Sequence, residues 1–279
     1  MIDWKSNERQ YVQKTPSIVD PSPTPDHQRR RGSLAINSAW SESRADWFLR
    51  SFVHPALSPL FNHLALPPQA GSRVLVLGSG EGEIAEALRI GGWSSVGIDI
   101  DAGRSRSSRH RYPDCHIVRG DMASLPFQDG SFDAVLSYSA LQYTDANATL
   151  EEVLRVLAPG GRAALTENLR QSPVPRIFRL LRGPMGFEKD PNQIPHRHVD
   201  WSWLRNLESR FSSVALEAHH LLSPLALVAP TLRQATGGRD WTSPSPRLMN
   251  ALSRMDRGLC ARVPSLYRYC WFGVALCTK

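Results

Sequence analysis

Gly78, Gly80 and Gly82 are spaced G-x-G-x-G, and Asp99 follows about 20 residues beyond the loop, a combination that suits an adenosine-containing ligand. Glycines let the backbone turn tightly and approach a ligand with no Cβ in the way. The amides that open the next helix face the ligand, and a carboxylate at that distance accepts from both ribose hydroxyls. The elements that must position these residues surround them. Val74 to Leu77 is a short aliphatic run of the kind buried on both faces in a parallel strand, Glu83 to Ile90 reads as the helix leaving the loop, and Ser95 to Ile98 reads as a second strand. One βαβ unit thus frames the pocket.

A glycine loop alone says little, because any tight strand-to-helix turn uses glycine. Here the pattern continues. His116 to Arg119 reads as a third strand ending in Gly120-Asp121-Met122, and Asp129 to Ser137 as a turn entering a fourth. Leu150 to Arg162 reads as an amphipathic helix stopped by Pro159-Gly160-Gly161, and Ala163 to Thr166 as a fifth strand. From Ser72 to about Asn168 these residues resemble the class I S-adenosylmethionine-dependent methyltransferases, especially the small-molecule group that includes the ubiquinone and menaquinone biosynthesis enzymes.

The resemblance implies an α/β fold: a doubly wound, mostly parallel seven-stranded sheet (Rossmann-like methyltransferase fold), to which this chain's own pattern adds N-terminal helices and a helical insertion before the last strand. It implies S-adenosyl-L-methionine as cofactor, with Gly78, Ser79, Gly80 and Gly82 around its methionine part and Asp99 on the ribose. By the same resemblance Asp121 accepts from the adenine amino group, Ile100 and Met122 sandwich the ring, Ser137 lies near the methionine end, and Tyr143 stands beside the transferred methyl. A nicotinamide enzyme is the competing reading of such a loop, but there the glycines usually run G-x-G-x-x-G, whereas here the third comes one residue early. In one place the chain departs from the family. Val76 stands where an acidic residue usually orients the loop and the cofactor's ammonium group, so Glu81 or Glu83 either compensates or is a first-turn acid favoured by the helix dipole.

The 279 residues fit one enlarged domain with surplus at its ends. Residues 1–33, with four prolines and the run Arg29-Arg30-Arg31, read as a disordered or extended basic arm. Residues 34–279 read as a single methyltransferase domain. Within it, 34–71 supply cap helices around Trp40 and Trp47, 72–168 the cofactor-binding core, 169–198 a proline-interrupted lid, and 221–269 a helical insertion between the last two strands. In that insertion Leu248, Leu252, Met255 and Leu259 fall on one helix face and Arg247, Arg254 and Arg257 on another. The face is expected to pack on its own domain, over the substrate pocket or in a homodimer contact; peripheral membrane binding is the alternative.

Other function classes find less support. The four cysteines make neither a C-x-x-C pair nor a disulfide framework, which points to a reducing cytoplasm, and no histidine and cysteine spacing suits a metal. No apolar run is long enough to span a membrane. The formal charge of +7, with eight basic and two acidic residues from Leu221 onward, invites an RNA methyltransferase as alternative. Against it, strand four continues Ser137-Tyr138-Ser139-Ala140 in place of the polar-Pro-Pro-aromatic tetrad that base-amine methyltransferases use. The expected activity is therefore methyl transfer to an oxygen, nitrogen or carbon of a small, fairly apolar metabolite. If a base is needed, Tyr143, His196 and His198 are the candidates. A cofactor-binding scaffold or cyclase that transfers no methyl group is the third reading, kept open by Val76.

Overall fold

Short aliphatic runs fix the sheet, and the loops at one edge of it carry the polar residues. The computed structural model describes residues 59–60, 62–64, 70–174, 197–227 and 246–279. The expected basic arm, Trp40 and Trp47 of the cap, residues 175–196 of the lid with His196, and residues 228–245 of the insertion lie outside the described residues. Seven strands, β1 (Arg73–Leu77), β2 (Ser94–Asp99), β3 (His116–Arg119), β4 (Phe132–Tyr138), β5 (Leu157–Asn168), β6 (Ser213–His219) and β7 (Phe272–Thr278), form one sheet in the order β3-β2-β1-β4-β5-β7-β6. All pairings are parallel except those of β7, which runs antiparallel to both β5 and β6. The order reverses between β1 and β4. In an open sheet of this kind that switch leaves a crevice outside the carboxyl ends of the strands.

Alternation along β1 explains why it sits centrally. Val74 and Val76 join one apolar layer with Ile84 and Leu88, while Leu75 and Leu77 join the other with Ile98 and Val135, so both faces of the strand are covered. A helical turn within residues 59–64 adds Leu60 and Leu64 to the first layer. Among the described residues the longer α-helices are α1 (Glu83–Ile90), α2 (Ala102–Arg111), α3 (Ala146–Val156), α4 (Trp201–Asn206) and α5 (Pro246–Arg262). Asp101 caps α2 by accepting from the Arg104 amide at 2.7 Å, and Asp200 caps α4 by accepting from the Trp203 amide at 2.9 Å.

Two expected elements shift. The third helix starts at Ala146 instead of Leu150, because Asp145 accepts from the Asn147 and Ala148 amides at 2.9 and 3.1 Å and so caps it earlier. It ends at Val156, before the Pro159-Gly160-Gly161 stop: Pro159 disfavours helical backbone at Ala158, and β5 has already begun at Leu157.

The larger correction concerns α5. Its inward residues are Met249, Asp256 and Cys260, whereas Met255 is 53% and Leu259 37% exposed, so the expected Leu248, Leu252, Met255 and Leu259 face is not the one the helix buries. A polar anchor sets the rotation. The Asp256 carboxylate accepts from the amides of Leu221 (3.1 Å), Leu222 (2.7 Å) and Ser223 (3.3 Å) and from the Ser223 hydroxyl (3.0 Å), tying α5 to the chain leaving β6. Asp256→Ala leaves the buried Ser223 amide and hydroxyl and the half-buried Leu221 and Leu222 amides without this acceptor, and we expect it to cost about 3 kcal/mol of stability. Urea unfolding of the two proteins checks this, and a loss under 0.5 kcal/mol would mean that apolar packing alone seats the helix. All four cysteines are buried and free, with Cys260 Sγ 3.8 Å from Cys270 Sγ.

Candidate functional site

The glycine loop leaves β1 at the switch point. Gly78, Gly80 and Gly82 all adopt positive φ, so each occupies backbone space that L side chains rarely take. Gly82 is further constrained by α2: a Cβ there would lie 2.1 Å from Ser108 Oγ. Backbone bonds tie the loop to its neighbours, since the Ser79 amide donates to the Ile98 carbonyl at 2.9 Å and the Gly120 amide to the Asp99 carbonyl at 3.0 Å. Three strand ends therefore hold one crevice.

Asp99, the last residue of β2, does more here than wait for a ligand. Its Oδ2 accepts from the Gly80 amide at 2.8 Å and its Oδ1 from the Asp101 amide at 2.9 Å, so the carboxylate braces the loop while each oxygen keeps a second acceptor direction. Burial pushes its pKa up, and nearby Arg104 and the two amides pull it back down. Met122 is buried with its Cε 3.6 Å from where a Gly78 Cβ would stand, Ile100 is half-buried, and Asp121 accepts from the Ala123 amide at 2.9 Å. Ser79 Oγ is buried without a hydrogen-bond partner. An orphaned hydroxyl, a cradle without Cβ atoms and a carboxylate with spare acceptor sites are what a nucleoside with a polar tail would satisfy. Among the described residues no His, Cys, Asp and Glu cluster could hold a metal ion.

The position of the family's usual loop acid is apolar throughout. Val76 is 1% exposed and packs in the layer with Ile84 and Leu136. Glu81 and Glu83 both turn to Arg111 of α2, at 3.6 and 3.1 Å. Each is therefore engaged in joining α2 to the start of α1.

The sequence reading missed a second carboxylate. Glu167, near the end of β5, is 1% exposed, and its Oε1 accepts from Ser137 Oγ at 3.1 Å and from the Ala140 and Leu141 amides at 3.2 Å each. Burial pushes its pKa up to about 7 against the pull of these donors. Ser137 is thus turned toward β5. The signal lay in the sequence as an acid closing the buried run Ala163–Thr166, a place where charge is rare unless it has partners. Tyr143 ends the 3-10 turn Leu141–Tyr143 and is half-buried. The extended segment carrying His198 reaches that turn, the Arg197 amide donating to the Gln142 carbonyl at 3.0 Å. Tyr143 and His198 therefore sit on neighbouring segments, while His196 lies outside the described residues.

Comparison with known proteins points the same way. The family described as a methyltransferase domain matches residues 75–165. A demethylmenaquinone methyltransferase of Beutenbergia cavernae is 41% identical over 104 residues, 37% of this chain and 43% of the relative. An uncharacterized methyltransferase of Mycobacterium bovis is 28% identical over 197 residues, 67% of this chain and 79% of the relative. The chain spans less than half the length of the demethylmenaquinone methyltransferases it matches. In fold it is similar to the crystal structure of geranyl diphosphate C-methyltransferase from Streptomyces coelicolor, with a TM-score of 0.57 and 14% identity over 99% of this chain and 98% of that one. The matched residues 75–165 are those that build most of β1 through β5 and carry the glycine loop, so it is through this segment that the chain is similar to the S-adenosylmethionine-dependent methyltransferases.

Proposed function

We propose that the protein transfers the methyl group of S-adenosyl-L-methionine to an oxygen, nitrogen or carbon of a small, fairly apolar metabolite in a biosynthetic pathway. The observation that carries this reading is the Asp99 brace: at the carboxyl end of β2, where a ribose is recognised in sheets of this type, one carboxylate holds the Gly80 and Asp101 amides and retains acceptor capacity. In this reading Gly78, Ser79, Gly80, Gly82 and Ser137 surround the methionine part, Asp99 takes the ribose, Asp121 the adenine amine, and Ile100 and Met122 the ring faces. The residues present suit that ligand, since the loop gives close backbone approach and Ser79 Oγ gains the partner it lacks.

When bound, the cofactor supplies a sulfonium that is already a leaving group, so the protein's task is chiefly to orient the acceptor and exclude water. The 3-10 turn with Tyr143 and the segment with His198 supply the groups that can take a proton from an acceptor hydroxyl or amine. The expected lid 169–198 and insertion 221–269, whose residues 175–196 and 228–245 lie outside the described residues, are the segments we propose determine the substrate.

The relatives named demethylmenaquinone methyltransferases support a quinol or phenol as acceptor. A methyl-transfer assay with radiolabelled cofactor tests this against prenylated naphthoquinols, simpler phenols and total cellular RNA. We expect label in the organic-extractable acceptors. Site-specific labelling of RNA with none in the small molecules would overturn the reading.

A further inference from the structure

Three consecutive residues at the tip of β5 grip the turn that follows β4. The Thr166 carbonyl accepts from the Ser139 amide at 2.7 Å, Glu167 Oε1 from the Ala140 and Leu141 amides at 3.2 Å, and Asn168 Nδ2 donates to Ser139 Oγ at 3.2 Å. Asn168 is itself fixed, its Oδ1 accepting from Trp271 Nε1 at 2.8 Å. Ser139 has a φ of 52°, a left-handed conformation that a serine keeps only when its surroundings impose it. The next residue, Ala140, lies against the glycine loop so closely that a Cβ on Gly78 would come within 2.5 Å of its own. The β5 tip therefore sets the distance between the loop on the cofactor side and the turn that leads to Tyr143.

We propose that Glu167 is a positioning residue for methyl transfer, its buried carboxylate gathering Ser137, Ala140 and Leu141 onto one oxygen and thereby holding the turn against Gly78. The inference rests on the reading of activity given above. No step in the chemistry passes through Glu167; it acts through the turn. Its second oxygen, Oε2, is buried with no hydrogen-bond partner, so the negative charge is balanced on one side only. Tyr138 of β4 is the titratable neighbour, its own pKa raised by burial and by Glu167, and among the described residues no arginine or lysine is bonded to the carboxylate. An ionised carboxylate accepts these bonds more strongly than the neutral acid does.

Burial raises the folded-state pKa from 4.5 to about 7, so the fold favours the proton within that window and loses stability as pH rises through it. The turn tightens over the same range, because the carboxylate ionises. Activity and stability therefore move in opposite directions around neutral pH, which a merely structural residue does not produce.

Glu167→Gln in the full-length chain tests this. The amide keeps an acceptor oxygen and carries no charge. We expect S-adenosyl-L-homocysteine to bind within about threefold of wild type, a melting temperature at pH 8 that is not lowered, and at least a tenfold fall in kcat with the rising limb near pH 7 gone. Glu167→Asp should retain that limb. Hydrogen exchange at the Ala140 and Leu141 amides provides a readout independent of turnover: protection rises through about pH 7 in wild type and stays flat in Glu167→Gln. Flat protection in wild type, an unchanged limb in the variant, or kcat, affinity and melting temperature falling together would overturn the proposal. Failure of the wild-type protein to bind S-adenosyl-L-homocysteine would instead sink the reading of activity, and the exchange measurement would still decide whether Glu167 holds the turn.

Discussion

Gly78→Ala is expected to lose cofactor binding and nearly all activity although it adds a single methyl group. At a φ of 58° an alanine is strained by about 1–2 kcal/mol, and its Cβ would stand 2.5 Å from the Ala140 Cβ, where overpacking adds about 1–3 kcal/mol. The strain falls on the two segments that face each other across the proposed site. Relief requires the loop or the turn after β4 to move, and the β5 tip resists the second, so the loop yields. We expect affinity for S-adenosyl-L-homocysteine to fall at least about a hundredfold, equivalent to some 2.7 kcal/mol, in calorimetric titration. Native affinity in the variant would show that the loop does not approach the ligand at Gly78.

Asp99→Asn should come second in effect. The substitution leaves one oxygen to accept either the Gly80 or the Asp101 amide and points an NH2 group at the other, so one of two buried amides meets a donor. The same change removes the charge proposed to meet the ribose hydroxyls. Hydrogen bonds to charged groups contribute about 1.5–3 kcal/mol, which corresponds to a loss of cofactor affinity of roughly 10- to 150-fold. Titration of the folded variant decides it. An unchanged dissociation constant would leave Asp99 as a loop brace only.

Local chemistry made the first half of the site readable. Helix α1 runs from Glu83 to Ile90 as the sequence implies, because Gly82 and Gly91 bound an amphipathic stretch on both sides. Strand β3 likewise occupies His116–Arg119, ahead of the Gly120-Asp121 loop. That Asp99 stands at the end of β2 was legible from its distance beyond the glycine loop. What spacing did not disclose is that the same carboxylate already holds the Gly80 amide.

The acceptor half was harder to read because its organising contacts are distant in sequence. Glu167 and the residues it gathers are 26 to 30 positions apart, and only the parallel pairing of β4 with β5 brings them together. Helix α5 shows the limit of periodicity differently. Its pattern correctly marks a helix, yet an aspartate decides which face is buried, because a buried carboxylate must find donors wherever the chain supplies them. Apolar spacing ranks faces by hydrophobicity and carries no information about such partners.

The carboxyl edge of β1, β2 and β4 is proposed to hold the cofactor, and a crystal structure of the protein with S-adenosyl-L-homocysteine decides the matter. The predicted result is a ribose hydrogen-bonded to Asp99, an adenine between Ile100 and Met122 beside Asp121, and a sulfur between the glycine loop and the turn after β4. A nucleoside bound elsewhere on the chain, or with Asp99 still bonded only to the Gly80 and Asp101 amides, would contradict that assignment.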